Sequence, residues 1–189
     1  MSGGRPAVLL AVGLGVGLAA LAAAAVAASG TQATRPSAAS RELDRAQTLL
    51  LVRLATLPEG SGVLVLRDAE GLTLRIPARL LFGNDSPVLK RDPQAAAPLA
   101  ATEQLLRKHR ALQAEIVVYT DSIGGVSANQ SLSEQRARAV YDALRSAGIA
   151  ARRLQQHGAG AATMVASNQT PAGRIENRRV EIEFRRPAR

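Results

Sequence analysis

The sequence predicts an α+β fold, with helices layered on one face of a mixed β-sheet and with an N-terminal hydrophobic segment and an amphipathic helix ahead of that core. Three observations predict it. From Leu72 onward, strand-like and helix-like stretches follow one another as strand, helix, strand, helix, strand, short helix, strand. The last stretch, RRVEIEF, alternates strictly, with Val180, Ile182 and Phe184 facing one way and Arg179, Glu181 and Glu183 the other. The helical stretches carry apolar residues at helical spacing on one side, as helices covering a sheet do.

The first segment has Arg5 followed by 22 residues, Ala7 to Ala28, with no charged or strongly polar side chain. Residues 1–28 therefore read as a secretion segment in one of two forms. Small residues near its end offer Ala-x-Ala cleavage options, as in a signal peptide. Its length also lets an uncleaved helix cross a bilayer of about 30 Å as a membrane anchor. Arg35, Arg41 and Arg45 lie just beyond it and disfavour an anchor with its N-terminus inside. Both forms put the rest of the chain outside the cytoplasm.

Residues 29–40 are small and polar with one Pro, and read as a flexible linker. Residues 41–71 read as an amphipathic helix and the start of a β-hairpin. Ser40 is the expected helix cap, and Leu43, Ala46, Leu50, Leu54 and Leu57 recur at helical spacing until PEGSG stops them. This helix either covers its own domain or, through residues 41–57, pairs with an envelope partner. The stretch GVLVLRDAEGLTLRIPARLLF reads as two strands around a turn at DAEG. A loop with two prolines follows Phe82. A helix is expected from about Gln94 to Leu112 with Leu99, Thr102, Leu105 and Leu106 on its buried side.

EIVVY then reads as a short buried strand, and SLSEQRARAVYDALRSAG as a helix capped by Ser133 and ended by Gly148. RRLQQHGAG suggests a strand running into a glycine turn. TPAGRIEN suggests a brief helix with Thr170 as cap and Pro171 at its first position.

Composition bounds the chemistry. The chain has 189 residues and no Cys, which excludes a disulfide framework, a thiolate metal site, a cysteine nucleophile and a lipid-bearing cysteine. It has two His and no H-E-x-x-H or Ser-His motif, so no metal or other cofactor is expected. Net charge is +9, nearly all from Arg, but the basic residues are interleaved with acids. Only four aromatic residues are present, too scattered for a base-stacking platform, so nucleic acid is not expected as a partner.

The stretch YTDSIGGVSANQSLSEQRARAV carries the candidate site. Asp121 stands where the chain leaves a strand, and Arg136 is expected in the first turn of the next helix, pointing back to the same rim. A carboxylate and a guanidinium facing one crevice complement a ligand with both an ammonium and a carboxylate, which Arg grips with two parallel hydrogen bonds. The plainer reading is an Asx-turn at Asp121 and a solvated Arg136.

YTDSIGG, then Asn129, then LSEQRARAV, then NQTPAGRIENRRVEIEF together resemble the OmpA-like C-terminal domain, the peptidoglycan-binding module of outer-membrane protein A, peptidoglycan-associated lipoprotein and the flagellar-motor stator B subunit. The resemblance places that domain at residues 72–189 and implies its βαβαβ core. It implies that Asp121 and Arg136 grip the zwitterionic end of diaminopimelate in the stem peptide, that the amide of Asn129 reaches the ligand, and that Asp85, in LFGNDSPVLK, lines the site. LFGNDSPVLK departs from the family's stretch in having Gly83 where an Asp is usual. Thr120, Arg174, Asn177 and Arg178 are candidate rim residues, with the last three alternatively pairing only with Glu176 and Glu181. The function implied is non-covalent attachment of an envelope protein or complex to the cell wall, in the periplasm, with no catalysis. The competing readings are an idle site in a structural component of an envelope complex, and a wall-acting enzyme using Asp85 and Asp121 as an acid/base pair.

Overall fold

A computed structural model of the chain describes residues 8–11, by their backbone, and 37–187. Strand β1 (Val8–Ala11) is followed in the described chain by helix α1 (Ala38–Leu54), strands β2 (Leu64–Arg67) and β3 (Gly71–Pro77), a single helical turn α2 (Ala78–Leu81), and helix α3 (Pro93–Lys108). Then come β4 (Gln113–Tyr119), α4 (Val126–Ser146), a 3₁₀ turn at Ala151–Arg153, β5 (Leu154–Gly160), α5 (Pro171–Asn177) and β6 (Arg179–Arg185). The strands form one sheet in the order β1-β2-β3-β6-β4-β5. β4 and β5 are parallel and every other pair is antiparallel, so the sheet is mixed as expected.

The alternation in β6 places Val180, Ile182 and Phe184 fully in the core, between Leu72, Leu74 and Ile76 of β3 and Ala114, Ile116 and Val118 of β4. α1, α3 and α4 close over that face with Leu50, Leu54, Leu105, Leu106, Val140 and Leu144. Each such side chain contributes about 1.5–3 kcal/mol by leaving water. The other face of the sheet is polar at its centre. There Arg179, stacked 3.7 Å from the ring centroid of Tyr119, and Arg75 both pair with Glu181.

Several boundaries differ from the sequence reading. Ser37 rather than Ser40 caps α1, its Oγ accepting from the Ser40 amide at 3.0 Å, so the helix begins inside the expected linker. The apolar side of α1 is buried on its own domain. The hairpin forms as expected, with Asp68 Oδ1 accepting from the amides of Glu70 and Gly71. Its second strand stops at Pro77, where the Ala78 amide is taken by the Arg178 carbonyl and the chain turns through α2 to bury Leu81 and Phe82. α3 ends at Lys108, short of Leu112. Thr170 caps α5 through the Gly173 amide, as expected.

Val8–Ala11, within the apolar segment, pairs along the open edge of β2, which offers unpaired backbone donors and acceptors to any extended stretch. The remainder of the apolar segment expected to direct secretion, and most of the expected linker, lie outside the described residues. Among the described residues no helix is long and apolar enough to cross a membrane.

Candidate functional site

Asp121 leaves the C-terminal end of β4, whose register with β5 is closed by the Thr120 amide donating to the Gly160 carbonyl at 2.8 Å. Its side chain makes the Asx-turn that the plainer reading anticipated: Oδ1 accepts from the Ile123 amide at 2.9 Å. Gly124 follows at φ 94°, a conformation that favours glycine. Asn129 Nδ2 then donates to the carbonyls of Asp121 and Ile123 at 3.2 and 2.9 Å, binding the loop to α4. The amide expected to reach the ligand is thus engaged in holding the loop that presents Asp121.

Ser133 is not a helix cap. α4 begins at Val126 after Gly125, and Ser133 lies inside it, where Oγ donates to the Gln130 carbonyl at 2.8 Å and accepts from the Gly160 amide at 3.0 Å. The local Ser-Glu pattern is overridden because this hydroxyl fastens α4 to β5. The contact is close: a Cβ on Gly158 would fall 2.2 Å from the Glu134 nitrogen and 2.4 Å from Ser133 Oγ. Arg136 therefore projects from the body of α4, not its first turn, and the helix N-terminal amides are not beside it.

Arg136 is 4% exposed, and its guanidinium spans the cleft wall. Nε donates to the Ser86 carbonyl at 2.9 Å and Nη2 to the Gly83 carbonyl at 3.0 Å, over the Phe82 ring at 5.1 Å. Burial lowers its pKa from the ordinary arginine value, the carboxylate of Asp85 acts against that, and Arg178 adds to the lowering. An arginine keeps its charge through such a shift. Among the described residues Nη1 has no hydrogen-bond partner. Asp85, exposed and at φ 50°, sits on the loop that Arg136 holds.

These groups share a cleft of about 290 Å³ that brings together Asp85, Thr120, Asp121, Asn129, Arg136 and Arg178. Asp121 is 6% exposed and its second oxygen accepts from Arg178 Nη1. Two of the candidate rim residues are elsewhere. Asn177 is fully buried, with Oδ1 accepting from the amides of Val165 and Ala166 and Nδ2 donating to the Ala166 carbonyl and Asn168 Oδ1. Arg174 donates to the carbonyls of Asn168 and Gln169. Both brace the 164–169 loop, and neither pairs with Glu176 or Glu181.

The sequence reading missed Arg79, Asn84, Ile123 and Leu132, which also line the cleft. Leu132 was within reach, because Asn129, Leu132 and Arg136 fall on one helical face once the helix is extended back to Val126. Among the described residues no group of three His, Cys, Asp or Glu side chains is placed to hold a metal.

The fold and the cleft define a class: α+β modules that carry a buried acid at the end of an inner strand and a buried guanidinium on the following helix. The chain belongs to the OmpA family, whose model its residues 81–178 match. It is 38% identical over 123 residues to the probable lipoprotein YiaD of Escherichia coli, across 65% of this chain and 55% of that protein. It is 47% identical over 64 residues to the peptidoglycan-binding protein ArfA of Mycobacterium tuberculosis, across 34% of this chain and 20% of that one. The chain thus spans little more than half of one of these relatives and a fifth of the other. The solved structure of the cell wall anchor of the T6SS from Pseudomonas aeruginosa superposes with a TM-score of 0.63 at 27% identity, covering 73% of this chain and 97% of that one.

Proposed function

We propose that this domain binds peptidoglycan without covalent chemistry, through the diaminopimelate of the stem peptide, and so tethers an envelope protein or complex to the wall from the periplasmic side. The observation that carries the reading is the pairing of buried Asp121 and buried Arg136 on one cleft, each with capacity unfilled. A carboxylate has about four acceptor positions, and two of them at Asp121 are used. Arg136 keeps Nη1 free. Asp121 takes the ligand's ammonium, Arg136 its carboxylate, and Asp85 and Arg178 flank them. The names of relatives that bind peptidoglycan or anchor a complex to the wall support the same reading.

The idle-site alternative has one observation in its favour: Arg178 already occupies Asp121. Calorimetric titration separates the two. Binding of a stem peptide carrying meso-diaminopimelate but not of the same peptide carrying lysine, with weakening when the free carboxylate is amidated, supports the proposal, because a charge-assisted contact to the guanidinium needs the charged carboxylate. No heat from any of the three supports an idle site.

A further inference from the structure

At the opposite end of the sheet lies a second cleft, of about 420 Å³, lined by Arg107, Arg110, Arg152 and Arg153 together with the backbone from Gly148 to Ala150 and by no acid. Two of these arginines are committed to the fold. Arg153 donates to the carbonyls of Leu106, His109 and Leu112 at 2.8–2.9 Å. Arg107 pairs with Glu103 at 2.7 Å and donates to the Ala147 carbonyl. Arg110 and Arg152 are exposed and have no hydrogen-bond or ion-pair partner among the described residues. They act on Arg153 as uncompensated like charges, adding to the lowering of its pKa by burial. Exposed Arg145 lies beside the same cleft, its Nη1 donating to the Ile149 carbonyl.

The strand register fixes where this surface lies. Gln113 pairs with Arg185 and Ala114 with Leu154 at this end, whereas Tyr119 pairs with Arg179 at the Asp121 end. The two clefts are therefore separated by the length of β4, roughly 20 Å for seven residues. α1 also starts at the basic end, because Arg67 Nη2 donates to the Ser40 carbonyl at 3.3 Å and Arg186 pairs with Glu42. Ser37, where the linker joins the domain, is at that end.

We propose that this basic end is a docking surface for an anionic phospholipid headgroup layer, centred on Arg110 and Arg152. Two free guanidinium groups over an acid-free cleft complement phosphate oxygens through forked hydrogen bonds. Their position beside the linker junction, and away from the Asp121 cleft, lets one domain touch a membrane surface while its other end holds the wall. The orientation rests on the wall-binding reading; the lipid contact does not.

The test is vesicle co-flotation of the full chain with phosphatidylcholine alone and with added phosphatidylglycerol, the readout being the phosphatidylglycerol-dependent increment. Each basic residue near an anionic surface contributes about 1 kcal/mol, so Arg110→Ser with Arg152→Ser is expected to weaken that increment roughly 30-fold. Arg53→Ser with Arg91→Ser, which removes equal charge elsewhere on the exposed surface, is expected to leave most of it. Equal loss in both double variants, or no increment in the parent chain, overturns the proposal. So does a site that responds to inorganic phosphate at matched ionic strength but not to vesicles, which would make the ligand a soluble anion. Pelleting of the Arg110/Arg152 variant with peptidoglycan is expected to be unchanged, and Asp121→Asn is expected to keep vesicle binding, so each reading can fail without the other.

Discussion

Arg178 Nη1 donates to Asp121 Oδ2, so the buried acid of the cleft is held by a guanidinium that is itself 42% exposed. An incoming ammonium shares that oxygen or displaces the arginine. A half-exposed ion pair is screened by solvent and is worth little by itself. Arg178→Ala is therefore expected to change the affinity for meso-diaminopimelate by less than about fivefold. Asp121→Asn, which keeps an acceptor for the Ile123 amide but removes the charge, is expected to lower it by about 10- to 100-fold, the value of one charge-assisted hydrogen bond. Calorimetry on both variants checks this, and equal losses would make Arg178 the principal ligand contact.

Gly158 sets the distance between α4 and β5, and through α4 the position of Arg136. Gly158→Ala places a methyl 2.2 Å from a backbone nitrogen, which no rotamer can relieve. A loss of about 1–3 kcal/mol or more is expected in urea unfolding. Weakened ligand binding is expected in the fraction that remains folded, because displacement of α4 carries Arg136 with it.

Asn177 tests the assignment of rim residues. Asn177→Ala leaves the amides of Val165 and Ala166 without their acceptor, in a fully buried position. A destabilisation of roughly 2–3 kcal/mol is expected. Affinity per folded molecule is expected to stay unchanged, because Asn177 does not reach the cleft. A loss of affinity at full folding would return it to the site.

His109 gives the domain a pH dependence. It is 6% exposed, lies 3.8 Å from Glu42 and has no partner for Nε2. Burial lowers its pKa from 6.5, with Glu42 opposing and Lys108 and Arg45 assisting. The unfolded chain thus takes up the proton first as pH falls. Stability is expected to be full above about pH 7 and to decline as pH drops below 6.5 toward the lowered folded value. Thermal unfolding from pH 8 to 5 should show a shallower slope for His109→Gln than for the parent.

Much of this was legible in the sequence because strict periodicity and side-chain caps are local. Val180, Ile182 and Phe184 declare their face by alternation, and Thr170 with Pro171 announces α5. Asp121 stood out because it ends an apolar strand and lies in YTDSIGG. What was misread depended on partners distant in sequence. Ser133 has the local form of a cap, yet its hydroxyl serves the Gly160 amide 27 residues away. The true start of α4 has no capping side chain to reveal it, only Gly125. The carbonyls of Gly83 and Ser86 that orient Arg136 are backbone groups, which no residue type advertises. Asn177 and Arg178 are neighbours in sequence but diverge in role, because the chain turns between α5 and β6.

The most direct test of the central claim is co-sedimentation of the protein with insoluble peptidoglycan sacculi, beside Asp121→Asn and Arg136→Ala variants shown by circular dichroism to be folded. The parent is expected to pellet and both variants to stay in the supernatant. A parent that stays in the supernatant, or folded variants that pellet as well as the parent, would contradict the assignment of the Asp121–Arg136 cleft as the wall-binding site.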